Sequence, residues 1–106
     1  MRIAQVAPIF ESVPPETYGG TERVAYWLTE EMVKQGHDVT LFASGDSKTS
    51  GRLISPCEKS NRLDPDVTDR EHIFTHTVLL QQVIEHAHES DIIHFHLDCI
   101  HYPIVK

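Results

Sequence analysis

The chain holds only two cysteines, Cys57 and Cys99, too few and too far apart in sequence for a disulfide framework or a ligand pair. A fold stapled by disulfides is excluded, and both read as free thiols of a reducing compartment. Basic charge is short as well: nine Lys and Arg stand against sixteen Asp and Glu, a formal charge of -7. The nine are scattered, which argues against a nucleic-acid footprint or a surface that seeks anionic lipid. No apolar run has the length of a membrane span, and the one at the N-terminus, ended by Pro8, is too brief for a signal-peptide core. A soluble, cytoplasmic protein is the expectation. Internal repeats, low-complexity tracts and linkers are also missing, so nothing inside the 106 residues separates two domains.

What is present is 40 % hydrophobic residues, enough to bury a core without disulfides. Residues 3–7 form a short apolar run with one polar member, Gln5, and predict a buried first strand that Pro8 stops. Residues 9–18 contain Pro14-Pro15 and no periodicity, a loop longer than usual between strand and helix. Thr21 is placed to cap the next helix, with Val24, Ala25, Leu28 and Met32 on one face, Glu22, Arg23, Glu30 and Lys34 on others, and Gly36 as its stop. Residues 37–43 predict a second strand, 44–47 a turn, and Arg52–Ile54 a short third strand, with irregular chain over 57–67. Thr68-Asp69-Arg70-Glu71 matches a capping box ahead of the stripe Ile73, Thr77, Leu80, Ile84, Ala87. Residues 92–97, hydrophobic apart from histidines, suggest a central parallel strand. A strand, helix, strand opening with a right-handed crossover makes the fold class α/β, a Rossmann-like parallel sheet with flanking helices.

Three places converge at the carboxyl edge of such a sheet, where ligands bind: the Gly19-Gly20 turn, the 44–47 turn and the strand end carrying His96. Two adjacent glycines allow close approach that a Cβ forbids, and the helix behind them starts with unpaired amides and a positive dipole end, so the turn suits an anion. It is not the dinucleotide fingerprint, because no third glycine follows at the right spacing. Taken alone, it is better explained by backbone needs. His94 and His96 face one side of their strand, with His101 close enough to be a third metal ligand. Histidine at a buried strand end is nevertheless more often simply hydrogen-bonded. His72 and His76, four apart on the second helix, invite a similar metal reading, yet they are better explained as exposed helix histidines, and Glu30 with Lys34 as a surface pair.

Four segments carry a resemblance: Met1-Arg2-Ile3-Ala4-Gln5-Val6-Ala7-Pro8, then Tyr18-Gly19-Gly20-Thr21-Glu22-Arg23-Val24, then Gly36-His37-Asp38-Val39-Thr40-Leu41-Phe42-Ala43-Ser44-Gly45-Asp46-Ser47, then Asp91-Ile92-Ile93-His94-Phe95-His96. In this order and at these intervals the chain resembles the N-terminal part of the family 4 glycosyltransferases, retaining enzymes of GT-B fold that transfer a sugar from a nucleotide-sugar donor. The resemblance implies that Gly19, Gly20, Thr21 and Glu22 face the donor diphosphate and the acceptor across an interdomain cleft. It implies His96 as the catalytic residue near the transferring sugar, His94 as mainly structural, and an acceptor pocket shaped by Tyr18, Ser44 and Asp46. The acceptor would be a sugar or glycolipid in carbohydrate biosynthesis, with neither metal nor cofactor.

The resemblance also implies a C-terminal nucleotide-sugar-binding domain that these residues do not include. The expectation is a partial N-terminal Rossmann-like domain over 1–106, the truncated half of a GT-B enzyme, inactive alone. Two other readings stand beside it. One is a small metal-dependent hydrolase built on His94, His96 and His101; the other is a non-catalytic module whose open sheet edge pairs with a second copy or another chain.

Overall fold

The structure is a computed structural model that describes residues 1–15, 20–58, 60 and 69–97. Its elements are β1 (Arg2–Val6), α1 (Gly20–Lys34), β2 (Asp38–Phe42), β3 (Arg52–Ile54), α2 (Asp69–His86) and β4 (Ile92–Phe95), with a short 3₁₀ turn at Ala87–Glu89. The strands form one parallel sheet in the order β3-β2-β1-β4, Ile3 lying level with Val39 on one side and Ile92 on the other. The chain steps outward from β1 to β3 and then returns to the far side of β1, so the strand order reverses between β1 and β4. The expected Rossmann-like α/β sheet is therefore present, and its crevice lies at that reversal. No helix among the described residues is long and apolar enough to cross a membrane.

β1 is buried on both faces from Ile3 to Val6, which is why three of those four residues are apolar and the stretch does not alternate. Ala4 and Val6 join Ile9, Phe42, Leu79 and Val83 in the core on the α2 side. On the α1 side Ala7, Leu41 and Ala43 pack with Val13 and Ala25. Gly36 ends α1 with φ of 93°, as a left-handed stop requires. β2 and β3 run parallel without a helix between them. Their link passes close to other backbone at two glycines: a Cβ on Gly45 would meet the Cys57 carbonyl at 2.5 Å, and one on Gly51 the Val39 carbonyl at 2.5 Å.

Several expectations are corrected. β4 lies at the sheet edge among the described residues, with Ile92 and His94 exposed; a hydrophobic run reads the same in an edge strand that has one face open. α1 begins at Gly20, so Thr21 sits inside the first turn and does not cap it. The buried side of α1 carries Glu22, Ala25 and Thr29, whereas Val24 is 45 % exposed. Glu22 turns inward at the helix start, where the dipole favours a carboxylate.

In α2 the buried side is His76, Leu79, Leu80 and Val83, while Ile73, Phe74 and Ile84 face outward. Thr68 lies outside the described residues. His76 is not an exposed helix histidine: its Nε2 accepts the Ile9 N–H at 3.4 Å and its ring lies 4.9 Å from that of Phe10. The His72 side chain lies outside the described set. Glu30 does not pair with Lys34 but accepts hydrogen bonds from the Thr49 hydroxyl at 2.9 Å and the Ser50 N–H at 3.0 Å. Burial pushes its carboxyl up, but the bonds from Ser50 and Thr49 prevail and hold it below its ordinary value.

Candidate functional site

The carboxyl edge of the sheet collects Gly20 at the start of α1, Ser44 and Asp46 just after β2, and His96 just after β4. The last is fixed by backbone: the His96 N–H donates to the Val6 carbonyl at 2.8 Å, extending the β1–β4 ladder. Tyr18, Gly19 and His101 lie outside the described residues.

Gly20 is exposed, a Cβ built on it meets nothing within 4 Å among the described residues, and its φ is not in the left-handed region. Neither packing nor backbone angle requires glycine there, so the backbone explanation does not hold for this member of the pair. The helix start offers amides without intrahelical partners and the positive end of the dipole. Thr21 is exposed at this end. Glu22 is 5 % exposed, so its side chain points into the fold and what it presents outward is backbone.

Ser44 is fully buried and its hydroxyl donates to Asp46 Oδ1 at 2.5 Å. That single proton being spent, the 3.2 Å contact between Ser44 Oγ and Ser47 Oγ must be donated by Ser47. Ser47 Oγ in turn accepts the Val13 N–H at 2.9 Å, and Lys48 N–H donates to the Val13 carbonyl at 2.7 Å. The 44–48 turn and the loop after β1 are thus one hydrogen-bonded unit. Within it Ser44 acts on Asp46, which is the half-buried member with an exposed part.

His96 Nε2 lies 2.6 Å from Gln5 Oε1, and its ring centroid is 4.2 Å from that of His94. Burial, and next the neighbouring His94, lower the His96 pKa from 6.5 to about 4, so the ring is neutral near pH 7. His94 and His96 do share a face, as their spacing requires, and His94 is exposed. Among the described residues no three His, Cys, Asp or Glu side chains are grouped to hold a metal.

An open pocket of about 190 Å³ is lined by Tyr26, Glu30, Lys48, Thr49 and Ser50, on the flank of α1, and holds none of the residues expected at the site. Gln5 is the one member of the edge cluster that the sequence reading did not assign to a site. Its signal is its place as the single polar residue of the apolar run 3–7. A family model described as Glycosyltransferase Family 4 matches residues 18–103. No curated protein gives a significant match.

Proposed function

Because the chain belongs to glycosyltransferase family 4, we propose that it binds the diphosphate of a nucleotide-sugar donor at the start of α1 and forms one wall of a site for retaining hexosyl transfer to a sugar or glycolipid acceptor. The observation that carries this reading is Gly20. Gly20 is the first residue of α1, and among the described residues neither contact nor φ requires glycine there. A bare backbone at the positive end of a helix lets phosphate oxygens reach the amides directly.

In this reading the amides of residues 19–22 hold the diphosphate, and the charge that develops on it as the bond to the sugar breaks is met by a preformed dipole. The acceptor hydroxyl takes the place of the diphosphate at the anomeric carbon, and its proton leaves with the diphosphate. His96, at the same edge, stands beside the transferring sugar as a neutral ring. Tyr18 and Asp46, the latter held by Ser44, shape the acceptor side. The donor charge is met without a metal. In the GT-B arrangement a second domain supplies the nucleoside-binding wall.

The test is a titration of the ¹⁵N-labelled chain with uridine diphosphate. Amide shifts confined to residues 19–22, appearing only at roughly millimolar concentration because one wall is bound, and weakened by Gly20→Ala, are the expected result. Tight binding, or shifts that leave residues 19–22 unmoved, would overturn the reading.

A further inference from the structure

Gln5 is fully buried in the middle of β1, level with His94 across the β1–β4 ladder. An amide there is expensive, because burying one without partners forfeits its hydrogen bonds to water, and an aliphatic residue would pack the strand at no such cost. Both ends of the amide are engaged. Its Nε2 approaches Met32 Sδ on α1 at 3.4 Å, and its Oε1 lies 2.6 Å from His96 Nε2.

The donor and acceptor roles along this chain follow from chemistry. A thioether has no hydrogen to give, so the amide end that faces Met32 is the NH₂ group. The carbonyl Oε1 then faces His96 and can only accept, which makes His96 Nε2 the donor. A neutral imidazole carries one N–H, so Nδ1 of His96 is left bare.

We propose that Gln5 is a positioning residue that fixes the tautomer of His96, with Met32 fixing Gln5, so that His96 enters the site with Nε2 protonated and Nδ1 free to accept a hydrogen bond from a substrate hydroxyl. The assignment explains why a polar side chain occupies the core of β1. It ties together α1, β1 and the end of β4 through the contacts of Gln5 with Met32 and His96. Only its last step, the hydroxyl partner, rests on the proposed donor site; the tautomer is a property of the free chain.

The experiment is long-range ¹H–¹⁵N correlation of the imidazole nitrogens in the full chain without nucleotide, at about pH 8, where His96 is neutral. The wild type should show His96 as a single form with a pyrrole-type Nε2 and a pyridine-type Nδ1. Gln5→Leu should convert that signal to a mixture of tautomers. Gln5→Glu, whose carboxylate only accepts, should keep the wild-type form, and Met32→Leu should reduce it by freeing the amide to turn over. A wild-type spectrum dominated by Nδ1–H, or a Gln5→Leu spectrum identical to wild type, overturns the proposal. Should Gln5→Leu not fold, Gln5→Glu decides: a shift of His96 to Nδ1–H overturns the proposal, and retention supports it. Failure of the uridine diphosphate titration would leave all these outcomes in place, so the two readings fail separately.

Discussion

At the scale of single residues, burial governs His96 more than any charge near it. The half-buried ring lies beside a second imidazole, and both effects oppose protonation, burial the more strongly, which brings the pKa from 6.5 to about 4. Between those values the unfolded chain binds more protons than the folded one. The stability tied to this group is therefore complete above the unfolded pKa and is lost as pH falls toward the folded one. Urea midpoints at about pH 7 and about pH 4.5 should show a larger acid-induced loss in the wild type than in His96→Asn. Equal losses would mean that His96 titrates like an exposed histidine. Glycines separate in the same way by what surrounds them: Gly36 is required by its φ and Gly45 by neighbouring backbone, whereas Gly20 is required by neither.

At the scale of elements, α2 shows how far a helical pattern can be read. Its sequence offers apolar residues on two sides, Ile73, Phe74 and Ile84 on one and Leu79, Leu80 and Val83 on the other. Periodicity identifies the helix but does not choose between the sides; contact with Ala4 and Val6 of β1 does. Leu79→Ala should cost about 2–5 kcal/mol by removing buried methyl groups and leaving a cavity. Ile73→Ala on the exposed side should stay within about 0.5 kcal/mol. Denaturant midpoints compare them, and similar losses would show that the outward side is covered in solution. α1 does the same with a charged residue: the chemistry of Glu22 places it outside, yet in the fold it is buried in the first turn of the helix.

For the whole molecule, charge is the dominant long-range quantity. The formal charge is -7, and the ion pairs Arg2–Asp91 at 3.0 Å and Arg52–Glu89 at 3.1 Å are both exposed, although the Arg2 hydrogen bond holds the Asp91 carboxyl below its ordinary value. Exposed pairs are weak and screened by salt, while net repulsion is relieved by it. Raising sodium chloride from about 0.02 M to about 0.15 M should therefore leave the melting temperature level or slightly higher. A drop of several degrees would mean that the ion pairs outweigh the repulsion.

The amino-acid sequence by itself determined the order and type of the elements, the α/β class and the family, because apolar period, turn residues and short motifs are local properties of the chain. Only the tertiary structure decided that β4 sits at an edge among the described residues, that His76 supports Ile9, and that Gln5 meets His96 across 91 positions. Those contacts depend on which strands become neighbours, and that is fixed by the burial of the whole sheet.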